Sequence, residues 1–402
     1  MVSNRWIEQR ATITQNASAS DLAAYFGISQ TALPSVNTET AMQVPAVWAA
    51  VTFLSSTLAN LPLHVYKNTK DGPEKQSGGL SAILNQAPNE ETTSYAWRKY
   101  FWTQVFTGGR GISYIERTST APVAVCNADP TKVKISRKAN KTTYEIDQTP
   151  RMAKDIIDLP FLLKSDMLSS YGPIVSGQKV IQLALAMNEY GSQFFAGGGV
   201  PPLAVTGPMP AGKGARERAQ QEIYESVKAA RDSNIPIANM PPGYELKPIG
   251  FDPAKGQMTE ARRFQIEEVA RLFNLPPVFL QDLTHGTFSN TEQQDLHLVK
   301  HVIAQWAKAF EQELNLKLFG QKSNVRYVEH NLDGLQRGDF KTRMDGLAQG
   351  VQSGLITPNE ARSLDNRQAM DGGEQLFIQG ATVPLATQEG VTPKTDQGVT
   401  DE

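Results

Sequence analysis

The sequence predicts an α+β fold built from more than one packing unit. Three observations carry that reading. Hydrophobic residues make up 40% of the chain and charged residues 20%, a globular rather than a disordered balance. The 402 residues are enough for two or three subdomains at ~150 residues each. Stretches with apolar residues at helical spacing alternate with short β-rich stretches bounded by Pro, Gly and Asn, and no internal repeat is visible.

Taken in order, residues 1–40 form a polar, flexible N-terminal segment with a short helix over Asp21–Phe26. From Val44 to Leu58, the residues Val47, Val51, Leu54 and Leu58 recur on one helical face, and Leu61-Pro62 ends that helix. Leu63–Tyr66 reads as a strand stopped by Lys70–Pro73. A short helix covers Leu80–Asn85, and an aromatic-rich helix covers Thr93–Phe106. Alternation from Ile112 to Ile146 gives short strands separated by Pro and Asn turns.

Gly172-Pro173 opens a long helix to about Phe195, proline being tolerated in a first helical turn. Strand, helix and strand then follow over Leu203–Thr206, Ala215–Arg231, and Ile235–Ala238 with Tyr244–Ile249. A second long helix runs over Gln257–Asn274, with Ile266, Val269, Ala270 and Phe273 on one face and Arg263, Glu267 and Arg271 at ion-pairing spacing on the other. Ser289 and Glu292 make a capping-box pair for a helix reaching Phe319, roughly 40 Å long at 1.5 Å per residue. Val325–Glu329 is a strand, Asp339–Gln352 is helical, and Thr357-Pro358-Asn359-Glu360 is a second capping box. Beyond Gly372-Gly373 the periodicity is lost, and disorder is expected at the end of the chain.

Charge and cysteine content narrow the function. Net charge is -2, whereas a DNA reader shows a basic face and a high pI. Near-neutrality argues against gripping DNA but not against DNA passing by. A single cysteine, Cys126, rules out a disulfide within the chain and a cysteine-built zinc site, and fits a reducing compartment. No apolar run of ~18 residues exists, so no membrane span is expected.

Several motifs come close to enzyme chemistry. Gly207–Gly214 places Gly-x4-Gly-Lys between a strand and a helix, as a phosphate loop would. However, Gly214 stands where the magnesium-binding hydroxyl belongs, and Pro208 and Pro210 remove backbone donors. His297 and His301 share a helix face, but Leu298 stands where a zincin needs glutamate. No catalytic set, cofactor site or metal site assembles, and the chain is read as non-enzymatic. Arg216, Arg218, Lys228 and Arg231 mix with glutamates along one helix, as on a solvated or subunit-facing surface. From its residues alone, the loop Asp282–Phe288 is an ordinary helix–helix connector.

The order of these segments resembles the portal proteins of long-tailed phages from about Ala41 to Leu385. The resemblance rests on Ala46–Val51, Leu61–Tyr66, Leu84–Asn89, Thr92-Thr93, Gly172-Pro173-Ile174, Glu268–Pro277, Thr287–Gln293, Gly354–Arg362 and Gly372-Gly373-Glu374. It implies a portal fold with a mixed wing at 41–170 and 275–338, stem helices at 171–196 and 257–274, and an α/β clip at 197–256. It also implies a short helical crown at 339–372 and a disordered tail at 373–402. The loop 281–289 becomes a tunnel loop facing DNA, with Asp282, Thr284, His285, Thr287, Phe288 and Asn290 as candidate contacts. Lys179, Glu260, Arg263 and Glu267 are stem channel candidates, and Arg216, Arg218, Lys228 and Arg231 become clip docking candidates.

The implied function is a ring, twelve copies in the particle, at one capsid vertex through which double-stranded DNA passes without sequence readout. The implied partners are the terminase large subunit, a head–tail connector and the major capsid protein. The implied place is the virion, after assembly in the host cytoplasm. Twelve copies at -2 each carry a formal -24, which disfavours sticking of DNA. A nucleotide-binding motor subunit and a purely structural capsid protein are the alternatives. One departure is that Gly108-Gly109-Arg110-Gly111-Ile112-Ser113-Tyr114 replaces the family's usual Gly-Asn-Ala-Tyr after the Trp-rich helix.

Overall fold

The structure, a computed structural model, describes residues 34–70, 72–119, 121–138, 141–196, 203–206, 213–232, 245–248, 257–280, 294–321, 325–332, 335, 340–365 and 367–377. Two compact units are present, Met1–Asn331 and Leu332–Glu402.

In the first unit, α1 (Thr38–Ala41) carries an Asn37–Thr40 capping box. Helix α2 (Pro45–Asn60) opens on proline and buries Val47, Val51, Leu54 and Leu58, the stripe read from the sequence. Strand β1 (Leu63–Thr69) pairs antiparallel with β2 (Gly72–Gln76). The expected stop at 70–73 falls where β1 ends at Thr69, but Gly72, whose φ is +122°, and Pro73 already lie in β2. Proline is tolerated there because β2 is the edge strand of its sheet.

Helix α3 (Gly79–Asn85) leads to α4 (Ser94–Gly108), whose first turn is capped by the Thr93 hydroxyl accepting from Ala96 N–H at 3.2 Å. Then β3 (Arg110–Thr118), β4 (Ala121–Asn127), β5 (Val133–Lys138), β6 (Lys141–Ile146), β7 (Thr149–Arg151) and β8 (Ile156–Pro160) follow. They form two antiparallel sheets, ordered β4-β3-β8 and β5-β6-β7. Ile112, Tyr144, Ile146 and Ile156 pack together in one small core. A two-residue pairing, β9 (Leu162–Leu163) with β10 (Ser170–Tyr171), closes this region.

The helix expected from Gly172 is divided. Pro173–Ser176 forms α5, Gly177 intervenes, and Gln178–Ala196 forms α6. Strand β11 (Leu203–Thr206) and helix α7 (Lys213–Asp232) precede β12 (Glu245–Pro248), which pairs antiparallel with β11. Helix α8 (Gln257–Leu272) ends where Asn274 takes a left-handed conformation, a role asparagine fills more readily than most residues. A 3-10 turn over Pro277–Leu280 follows.

The next helix is described from residue 294. It passes through a π-helical segment at Val299–Ile303 before α9 (Ala304–Phe319). Strand β13 (Arg326–His330) then returns to pair with β1, giving the order β13-β1-β2. The expected helix over 21–26, the capping box at Ser289–Glu292, the strand at 235–238 and the end of the chain from 378 lie outside the described residues.

An aromatic core sits between α4 and α9. Phe310 is fully buried, with ring centroids 5.1 Å from Phe101, 5.3 Å from Trp102 and 6.3 Å from Trp97. Trp306 meets Phe106 edge-on at 5.4 Å. These are the offset and edge geometries that ring quadrupoles favour.

A half-buried polar network joins β8 to α9. Arg110 Nε binds Asp158 Oδ1 at 2.6 Å, Tyr144 O–H donates to Asp158 Oδ2 at 2.7 Å, and the Asp158 N–H donates to Glu313 at 2.9 Å. Arg117 Nε binds Asp155 at 2.7 Å and its Nη2 donates to the Lys317 carbonyl at 2.6 Å. Burial alone would destabilise these charges; the mutual bonds offset that cost.

In the second unit, α10 (Phe340–Gln352) and α11 (Pro358–Leu364) are joined by a turn through Gly354. The Thr357–Glu360 capping box forms as its sequence predicts. Among the described residues of this unit, no apolar side chain is buried.

Candidate functional site

Several of the segments that carried the family resemblance turn out to be joints. The Asn85 side chain binds β1 as a neighbouring strand would: Leu63 N–H donates to its Oδ1 at 2.9 Å, and its Nδ2 donates to the Leu63 carbonyl at 2.6 Å. Asn89 Oδ1 accepts from the N–H groups of Glu91 and Thr92 at 2.9 and 2.8 Å, while its Nδ2 reaches the Val125 carbonyl at 2.9 Å. Asn359 holds the Gly372-Gly373-Glu374 segment. Its Nδ2 donates to the Met370 carbonyl and to Glu374 at 2.9 and 2.8 Å, and a side chain at Gly373 would strike it. Thus Asn359 and Gly373, far apart as motifs, form one contact.

The glycine-rich departure has a physical reason. Gly109 caps α4 with φ +80°, and a Cβ there would lie 2.6 Å from the Gly172 Cα and 2.8 Å from the Tyr171 carbonyl oxygen. Gly111 is similarly tight against Val105 and Phe101. The end of α4 and the start of α5 therefore touch backbone to backbone.

Helices α6 and α8 run antiparallel, as two contacts show. Arg262 Nη2 donates to Asn188 Oδ1 at 2.9 Å, and a side chain at Gly177 would strike Leu272, one end apart from the other. Ile181, Leu183, Ala184 and Met187 of α6 are buried, as are Ala261, Gln265, Val269 and Ala270 of α8.

Of the four stem candidates, Lys179, Glu260 and Arg263 are exposed. Glu267 is part-buried and paired with Arg271 at 3.1 Å, and Arg271 also reaches Glu268. Because the helices are antiparallel, Lys179 stands at the end where Leu272 lies and Glu260 at the other. The structure spreads these residues along the pair rather than gathering them.

Elsewhere, Arg218 is exposed on α7 and donates from Nε to the Gly214 carbonyl at 3.3 Å. Arg216, Lys228 and Arg231 lie on the same helix. Lys213 and Gly214 already belong to its first turn, while Gly207–Gly212 lie outside the described residues. The loop candidates Asp282, Thr284, His285, Thr287, Phe288 and Asn290 also lie outside them. His297 and His301 are exposed neighbours with ring centroids 4.6 Å apart. Among the described residues, no group of three or more His, Cys, Asp or Glu side chains is placed to hold a metal, and no helix is long and apolar enough to cross a membrane.

One buried titratable cluster escaped the sequence reading. Glu311 Oε1 accepts from the His330 backbone N–H at 2.8 Å and lies 3.2 Å from its Nδ1, which fixes the proton on Nδ1. Desolvation pushes the His330 imidazole below its ordinary value, with Glu311 opposing. Desolvation acts upward on Glu311, but the bonds from His330 and Lys308 outweigh it and leave its carboxyl low. Burial lowers the nearby Arg98 guanidinium to about 10. The 19-residue separation of Glu311 and His330, from helix to strand, leaves no local signal in the sequence.

Known proteins resemble the chain over most of its length. A model of the family described as phage portal protein matches residues 45–366. The chain is 27% identical to the portal protein of Enterobacteria phage HK97 over 362 residues, covering 87% of this chain and 85% of the relative. It is also 27% identical to the probable portal protein of Streptomyces phage phiC31 over 394 residues, covering 91% and 83%. Among solved structures, an HK97-family phage portal protein from Corynebacterium diphtheriae superposes with a TM-score of 0.56 at 15% identity, covering 74% of this chain and 95% of that one. A chain from the neck of an empty gene transfer agent particle gives 0.55 at 16%, covering 83% and 94%.

Proposed function

Because the chain belongs to the phage portal protein family, we propose that it is one subunit of a closed ring at a capsid vertex, the passage for double-stranded DNA into and out of the particle. The observation that carries this reading is the family match across residues 45–366. Similar solved structures come from particle necks with sixfold and twelvefold symmetry, which supports a ring of twelve in the particle.

In this reading α6 and α8 are the stem, the β11–α7–β12 segment is the clip and α10–α11 the crown. The two wing segments hold the aromatic core. Residues 281–289 are the tunnel loop, with Asp282, Thr284, His285, Thr287, Phe288 and Asn290 toward DNA. Exposed Lys179, Glu260 and Arg263, with Glu267, mix both signs along the stem, so DNA meets no continuous basic track. That arrangement suits sliding, because few released counterions means little holding. The clip cations Arg216, Arg218, Lys228 and Arg231 are the docking candidates for the terminase large subunit and then a head–tail connector. The major capsid protein surrounds the wing, and assembly takes place in the host cytoplasm. The chain acts as a conduit and carries no chemistry of its own.

Native mass spectrometry and electron microscopy of the purified chain test the reading. A large ring with an axial channel is expected; monomer under all conditions overturns it.

A further inference from the structure

An apolar groove of about 490 Å3 opens between the first turn of α2 and the helix pair α6–α8. Trp48 stands at its rim, 57% exposed, and Ala49, Ala184, Met187 and Ile266 line it. Gln265 also lines it. That residue is only 6% exposed, and its Oε1 is shut off from solvent with no hydrogen-bond partner among the described residues. A buried amide oxygen without a donor is penalised, and native proteins rarely leave one so.

We propose that this groove is a subunit interface, filled by a second copy of this chain that covers Trp48 and, as the Gln265 amide turns toward the groove, gives its Oε1 an N–H donor. The proposal rests on the ring reading above. Three observations favour a second copy over other occupants. A closed ring uses head-to-tail contacts, in which each copy offers two unlike surfaces. The same unit exposes apolar side chains outside the groove, among them Leu162 and its strand partner Tyr171 on the β9–β10 pairing. An exposed tryptophan at the rim of a largely apolar groove is the kind of aromatic anchor that dominates interfaces. Finally, the groove is walled by the two helices that carry the stem candidates, so filling it from a neighbour ties ring closure to the stem.

Two variants and one cross-link test this. Trp48→Asp changes an exposed residue, so the isolated subunit keeps its unfolding midpoint while the ring fraction by native mass spectrometry drops at least tenfold. Gln265→Met removes the unpartnered oxygen, so the subunit unfolds at the same or higher urea while the ring weakens several-fold. Benzophenone placed at position 48 gives a covalent dimer on irradiation. Wild-type chain that forms no ring overturns the ring reading itself. Wild-type rings with unimpaired Trp48→Asp and Gln265→Met rings, or cross-links confined to one chain, overturn this interface alone.

Discussion

Gly109→Ala should be more destabilising than any ordinary glycine change, and its size follows from the contact with Gly172. Two costs coincide at this position. A φ of +80° puts an L-residue in the left-handed region, at about 1–2 kcal/mol. The new Cβ would also press on the Gly172 Cα at 2.6 Å, on its nitrogen at 2.8 Å and on the Tyr171 carbonyl oxygen at 2.8 Å. All three are backbone atoms that no rotamer change can remove, so overpacking adds about 1–3 kcal/mol. Together the loss is about 2–5 kcal/mol.

Gly172→Ala makes the same contact from the other side. Its φ is -111°, open to any residue, and its Cβ would stand 3.1 Å from Gly109. That variant should lose only about 1 kcal/mol. Urea unfolding of both purified variants decides, with Gly109→Ala expected to lower the midpoint by about 1 M. An equal loss in both variants would refute the assignment of the crossing to left-handed strain plus backbone clash.

Two further outcomes follow from the interior. Phe310→Ala empties the centre of the α4–α9 aromatic cluster and should cost about 3–5 kcal/mol in the same assay, a loss below about 1 kcal/mol counting against its central place. Acidification should also destabilise the fold through His330. Its folded value lies below the ordinary 6.5, so the unfolded chain binds the proton first and stability falls as pH drops below that value. Glu311, held below 4.5, adds a loss of the same sign at lower pH, whereas Glu313, raised mainly by burial, works in the opposite direction. His330→Gln should flatten the slope of stability between about pH 7.5 and pH 5.5; an unchanged slope would remove His330 from the account.

Much of the fold could be read from local chemistry. The Thr93 cap and the Thr357–Glu360 box satisfy orphan backbone donors at helix starts that the sequence had placed there, whereas Pro45 opens α2 by lacking the donor altogether. The stripe Val47, Val51, Leu54 and Leu58 announced the buried face of α2. The misses are long-range or special. Pro73 looked like a stop because its edge-strand position depends on a partner that the local sequence does not show. The need for glycine at position 177 was hidden because the side chain it must clear is Leu272, almost a hundred residues away. The candidate site was legible only as positions on helices. Trp48 did leave a trace, as an apolar residue off the buried stripe of α2. Gln265 left none, since a lone polar residue among apolar neighbours reads the same whether or not its oxygen is satisfied.

The π-helical turn at Val299–Ile303 fixes a register as well as a path. An α-helix advances about 100° per residue, and a wider turn holds one residue more than an α-turn does. Trp306 and Phe310 are locked into the aromatic core, and upstream of them Leu298, Val299, Val302 and Ile303 are buried as well. The extra residue is what lets both stretches turn apolar side chains inward. Deleting one residue within 299–303 would restore regular winding and move every upstream side chain one place along the helix, leaving Phe310 where it is but taking Leu298 out of its buried position. Register and stability are therefore coupled at this turn.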